Sequence, residues 1–190
     1  MQGRTSRPGV ASAKILPVVI AWLVAALVAI APRTASADAF QDLSLVRLAK
    51  PRAAADFSVP GLSGATVSLQ EHRSSVVFLN FWATWCAPCK DEMPSMERLY
   101  RHFRGRGFTI LAISMDMGDP GKVAAFVKAL GLTFPIGLDL RGEVATRYAI
   151  RALPGSFLID RSGQIAAVAI GPRDWDSPSA RSVVESLLKP

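Results

Sequence analysis

Residues 76–90, VVFLNFWATWCAPCK, decide the fold. The first seven, 76–82, are almost all apolar or aromatic, a run too short for a helix and rich in strand formers, which predicts a central strand buried on both faces. From Cys86 the period changes, and Met93, Met96, Leu99, Tyr100 and Phe103 recur at helical spacing until Gly105 and Gly107 end the pattern. Both cysteines of the chain therefore stand where a buried strand gives way to a helix. A thiolate at Cys86 would lie beside the unpaired N–H groups and positive end of that helix, which lowers a thiol pKa and makes the sulfur nucleophilic near neutral pH. Cys89 falls one turn later on the same face, within reach of the Cys86 sulfur. Cys86 is read as the attacker and Cys89 as the resolver. Pro88 is tolerated between them because first-turn N–H groups have no helical partner to lose.

On either side of this junction the chain alternates strands and helices. Residues 57–59 and 66–69 flank Pro60-Gly61 and Ser63-Gly64, the pattern of a small hairpin. Residues 108–115 form a second buried strand. Asp119-Pro120 opens a helix that carries Val123, Phe126, Val127 and Leu130 and stops at Gly131. Residues 133–138 read as a short strand that Pro135 confines to an edge, followed by a short helix over 143–148. Residues 156–159 and 164–170 bracket a turn and form an antiparallel hairpin, and Ser177-Pro178 opens a last amphipathic helix. The order implies an α/β fold with a mixed central sheet and helices on both faces.

Charge and composition narrow the class further. The chain of 190 residues carries +7, but Arg4, Arg7, Lys14 and Arg33 lie in the first 37 residues, which contain no acid; beyond them 18 basic residues face 15 acidic ones. That is an ordinary surface and gives no footprint for nucleic acid. Arg101, His102, Arg104 and Arg106 cluster, but at a helix C-terminus, where cations offset the dipole. An uncharged run over residues 15–31 follows the first three of those leading cations, and Ala35-Ser36-Ala37 supplies small residues at peptidase positions. Residues 1–37 are thus expected to be either a signal peptide cleaved near Ala37 or a retained anchor spanning 15–31, and in both cases the remainder faces outward. Residues 38–56, alanine-rich and mixed in charge, read as a linker, and residues 57–190 as the domain. With the two cysteines three residues apart, a disulfide framework is excluded and the pair carries whatever thiol chemistry there is.

A zinc half-site is the main structural rival for the pair. The only histidines, His72 and His102, lack metal-site spacing to it, so no metal and no cofactor beyond the Cys86–Cys89 couple is expected. Glu92, three residues beyond Cys89, lies on the same helical side. Spacing alone leaves it open whether it exchanges a proton with Cys89 or is a solvated first-turn acid. Met93 and Met96 are at core spacing and are read as packing residues rather than copper ligands. Trp175, between Asp174 and Asp176, is read as a lid over the sheet edge with no functional role.

The run Trp82-Ala83-Thr84-Trp85-Cys86-Ala87-Pro88-Cys89, preceded by Asn80-Phe81 and followed by Glu92-Met93-Pro94, resembles the thioredoxin-like proteins of the TlpA/ResA and cytochrome c maturation group. The resemblance covers roughly residues 50–190. It implies a thioredoxin fold with an added N-terminal β-hairpin and an inserted helix–strand unit. It also implies thiol-disulfide exchange with exported protein substrates, with a membrane thiol transporter of DsbD or CcdA type as electron donor. In Ala152-Leu153-Pro154-Gly155-Ser156, Pro154 matches the family's cis proline beside the active disulfide, and Gly155-Ser156 departs from the commoner pair of threonines. Glu92 matches the acid that ResA-like members place near the resolving cysteine, and Asn80 stands where thioredoxin has a buried aspartate.

The function expected is that of a periplasmic thiol-disulfide oxidoreductase, a reductase of exported proteins such as apocytochrome c or copper-site proteins. Cys86, Cys89 and Glu92 would carry the chemistry, and Trp85, Pro88, Leu153 and Pro154 would meet the substrate. The rivals are an oxidase of DsbA character using the same residues in reverse, a copper or other metal chaperone, and a peroxiredoxin. The last is disfavoured because no Pro-x-x-x-Thr-x-x-Cys pattern precedes Cys86.

Overall fold

Seven consecutive buried residues make Val76–Trp82 the middle of the sheet. The computed structural model describes Gly3 and residues 35–189. The strands are β1 (Ser58–Pro60), β2 (Thr66–Ser68), β3 (Val76–Trp82), β4 (Phe108–Ser114), β5 (Ile136–Leu138), β6 (Gly155–Ile159) and β7 (Ile165–Ile170). The helices are α1 (Ala35–Asp42), α2 (Ala87–Phe103), α3 (Pro120–Leu130), α4 (Glu143–Arg147) and α5 (Pro178–Leu188). β1 and β2 pair as a separate antiparallel hairpin, and the main sheet runs β5-β4-β3-β6-β7, parallel from β5 to β3 and antiparallel from β3 to β7. This is a thioredoxin fold in which the β1–β2 hairpin precedes the first central strand and α3–β5 forms the inserted unit.

The strand period of two sends alternate side chains of β3 to two different cores. Val76, Phe78 and Trp82 meet Met93, Met96, Leu99 and Phe103 of α2 and Val183 and Val184 of α5. Val77, Leu79 and Phe81 meet Val59 and Val67 of the hairpin and Val144 and Tyr148 around α4. Local chemistry closes the helices: Asp119 accepts from the Gly121 N–H at the start of α3, Gly131 ends it at φ +61°, and Ser177 caps α5 through the Ala180 N–H. The left-handed φ at Gly131 is one that a side-chain-bearing residue rarely adopts.

Two expectations are corrected. Residues 38–56 are not a linker. Ala39 and Phe40 of α1, with Leu43 and Leu45 after it, are buried in the same core as α2 and α5. Val46 exchanges both backbone hydrogen bonds with Val168 at 2.8 and 2.9 Å, and the Ile165 N–H donates to Arg52 O at 2.8 Å. The segment covers the otherwise open edge of β7, where unpaired backbone groups need partners; its alanine-rich composition conceals a few well-spaced apolar anchors. The edge strand expected over 133–138 is also shorter. Its first residue turns away because the Thr133 N–H and hydroxyl donate to the Glu97 carboxylate at 2.8 and 2.7 Å, and Pro135 has no N–H to offer a ladder.

The leader expected over residues 1–37 lies, apart from Gly3 and its last three residues, outside the described part of the chain. Among the described residues no helix is long and apolar enough to cross a membrane.

Candidate active site

β3 ends at Trp82, and four residues later Cys86 caps α2 in an extended conformation, its sulfur accepting from the Cys89 N–H at 3.3 Å. The approach between them is pinned from β4: Asp116 accepts from the Thr84 N–H at 2.9 Å and from its hydroxyl at 2.5 Å, and from the Ser114 hydroxyl at 2.8 Å. Pro88 sits in the first turn of α2. Cys86 and Cys89 are joined in a disulfide. Cys86 keeps 5% of its surface exposed and Cys89 none, so an incoming sulfur meets Cys86 first.

In front of Cys86 lies a cleft of about 500 Å³ lined by Trp85, Cys86, Pro88, Met115, Ile150 and Leu153 among others. Trp85 is 71% exposed, unusual for a tryptophan and suited to packing against a partner. The Leu153–Pro154 peptide bond is cis. Leu153 lines the cleft, whereas Pro154 is buried beneath it and its carbonyl accepts from the Gly171 N–H at 2.8 Å. The structure thus brings Trp85, Cys86, Pro88 and Leu153 to one surface, and Cys89 and Glu92 lie behind it on α2.

Glu92 is no solvated acid: it is 2% exposed. Its Oε1 accepts from Asn80 Nδ2 at 2.9 Å, and its Oε2 accepts from Trp175 Nε1 at 2.9 Å and from the Arg173 N–H at 3.3 Å. Burial pushes the carboxyl up from the ordinary 4.5 to about 7; the hydrogen bonds from Trp175, Asn80 and Arg173, and the Arg173 charge, pull the other way without cancelling it. A group poised near neutrality can hold or release a proton at working pH.

Trp175 is therefore corrected from a lid without a role to a partner of Glu92. Its ring is 1% exposed and packs on Phe78 with centroids 4.4 Å apart. Sequence reasoning missed it, along with Arg173, Asn80 as a donor, and Ser156, whose hydroxyl accepts from Asn80 Nδ2 at 3.0 Å. One signal was available: a tryptophan buried in a charged segment needs an acceptor for its N–H. In the basic cluster at the end of α2, Arg101 is paired to Glu97 at 2.6 Å and Arg106 is set over the Phe103 ring at 4.9 Å.

Residues 51–168 match the AhpC/TSA family. The thiol-disulfide oxidoreductase ResA of Bacillus thuringiensis subsp. konkukian is 42% identical over 112 residues, 59% of this chain and 64% of that protein. The chain thus spans just under two thirds of the length of that relative. ResA of Bacillus anthracis is 38% identical over 132 residues, 70% of this chain and 75% of its own length. Among solved structures, a thiol:disulfide interchange protein of the thioredoxin family from Chlorobium tepidum TLS superposes with a TM-score of 0.64 at 30% identity, covering 75% of this chain and 99% of that one. The disulfide at a strand-to-helix junction, the cis proline beside it and these likenesses agree, and the chain belongs to the AhpC/TSA family of thioredoxin-like proteins, together with its ResA relatives.

Proposed function

We propose that the chain is an exported thiol-disulfide oxidoreductase that reduces disulfides in other exported proteins. The observation that carries this reading is the asymmetry of the pair: Cys86 opens on an apolar cleft, and Cys89 is sealed in the core one turn from a buried acid poised near neutrality. The names of the relatives support the chemistry, and the uncharged run over residues 15–31 supports export.

In the reduced enzyme the Cys86 thiolate, stabilised by the N-terminus of α2, attacks one sulfur of a substrate disulfide and expels the other as a thiolate. A mixed disulfide results. Cys89 then loses its proton to Glu92 and attacks the Cys86 sulfur, expelling the second substrate sulfur. Two electrons have passed to the substrate and the Cys86–Cys89 disulfide has formed. Trp85, Pro88 and Leu153 hold the substrate chain across the cleft, with Pro154 shaping its floor. A membrane thiol transporter of DsbD or CcdA type returns the electrons, and apocytochrome c or copper-site proteins are the substrates proposed. The protein works in the periplasm, released by cleavage near Ala37 or held at the inner membrane by residues 15–31.

The reduction potential tests the direction. A reductase of this kind should lie below about −200 mV, whereas an oxidase of DsbA character lies near about −120 mV. Cys89→Ser should trap covalent complexes with exported partners and Cys86→Ser none; the reverse pattern would exchange the two roles. A chain with no measurable couple would instead be a metal carrier.

A further inference from the structure

The two oxygens of Glu92 are held in different ways. Oε2 accepts from the Trp175 indole N–H and the Arg173 amide, and neither group can turn into an acceptor. A proton placed on Oε2 would point at two others. Oε1 faces Asn80, whose Nδ2 donates both to it and to Ser156 Oγ, while Asn80 Oδ1 is buried without a partner among the described residues. Turning that carboxamide over would set its oxygen, now unpaired, against Oε1, and the Ser156 hydroxyl can donate as well as accept.

Trp175, by contrast, is held at both its ring and its backbone. Its ring lies against Phe78 at 4.4 Å, its backbone N–H donates to Ser95 Oγ at 3.0 Å, and that hydroxyl donates to Glu92 O at 2.7 Å. Two residues earlier, Arg173 Nε donates to Leu43 O at 2.6 Å, tying the segment to the chain that follows α1.

We infer that Trp175 is a positioning residue: with the Arg173 amide it reserves Oε2 as an acceptor, so that Glu92 takes and gives its proton at Oε1, where the Asn80 amide reverses to match. The inference rests on the reading of Glu92 as the proton acceptor of Cys89 and adds which atom does the work and what holds it. As the Cys89 sulfur bonds to that of Cys86 and the substrate leaves as a thiolate, the Cys89 proton passes to Oε1. Glu92 also borders a cleft of about 350 Å³, with Asp91, Ser95, Arg98, Arg173 and Asp174. The charged groups around the acid are Asp91 and Arg98 on α2 and Arg173 and Asp174 on the segment after β7; Asp176 is paired with Arg98 and Arg181. From β3 and β6 the neutral Asn80 and Ser156 face it.

Trp175→Phe keeps the ring against Phe78 and deletes only the donor. Resolution of a mixed disulfide with a short peptide, followed against pH in the full chain, should show a rise governed by Glu92. In Trp175→Phe that rise should move to higher pH by about one unit, because the charged carboxylate has lost a hydrogen bond. The rate near neutrality then falls severalfold and recovers at alkaline pH, which a packing defect would not do. In Glu92→Gln the rise should vanish. If it vanishes there but stays in place in Trp175→Phe, the positioning role is overturned and the role of Glu92 stands. If it survives Glu92→Gln, the reading of Glu92 itself falls, and this inference with it. Should Trp175→Phe not fold, the unaltered oxidised protein decides: the indole N–H resonance of Trp175 should titrate with the carboxyl, and a resonance flat from about pH 5 to about pH 9 overturns the inference.

Discussion

The two sides of the disulfide are built from opposite materials. In front of Cys86 the cleft is apolar and open, with Trp85 exposed and no hydrogen bond holding its indole among the described residues. Behind Cys89 the pocket is polar and closed, with three donors on one carboxylate and a tryptophan whose N–H is committed. On the proposed function the open surface accepts different partner chains and gains from non-directional contact, which tolerates variation in shape and sequence. On the proposed mechanism the acid exchanges one proton and gains from fixed donors, since each sets the energy of the charged form. The same helix serves both, because Cys86 caps α2 and Cys89 and Glu92 follow it at intervals of three residues, buried behind it.

The largest expected effect lies on the closed side. Glu92 binds its proton more tightly in the folded protein than in the unfolded chain, since its pKa rises from 4.5 to about 7. Its stabilising share is complete below the lower value, declines between the two, and is gone above the upper one. Over that window the oxidised protein should lose about 3 kcal/mol that Glu92→Gln does not lose. Urea unfolding of both proteins at either end of the window measures it; equal losses would mean that the acid is not burdened by burial and would erase the contrast between the two sides.

On the open side the expected effect is smaller and appears only with large partners. Trp85→Ala should lower kcat/KM toward a folded protein disulfide about tenfold, roughly 1.4 kcal/mol, and leave reduction of a small aromatic disulfide and the unfolding free energy nearly unchanged. An equal fall for both substrates would show that Trp85 supports the disulfide rather than the partner.

The smallest effect sharpens the boundary of the closed pocket. Arg98, more than half exposed, meets Asp176 at 2.8 Å, close to the segment that carries Trp175. Arg98→Ala should cost about 0.5 kcal/mol at low salt and nothing measurable at high salt. A larger and salt-independent loss would place this ion pair within the structural support of Trp175.

Much of this protein was legible before any coordinates. The buried run over 76–82, the helix beginning at Cys86, the caps at Asp119 and Ser177 and the stop at Gly131 are properties of short stretches, where period and terminal hydrogen bonding act within a few residues. The reading proposed for the cysteine pair rests on equally local features, since a sulfur at a helix N-terminus owes its character to neighbouring amides. The tertiary structure alone decided the fate of Glu92, because the spacing that left it open said nothing of Trp175 and Arg173, more than eighty positions away. It also turned residues 38–56 from a linker into cover for β7, for an edge strand's need for backbone partners lies in the sheet and not in the composition of the segment that meets it. Local rules placed the sulfurs, and contacts between distant parts of the chain set the environment of the proton.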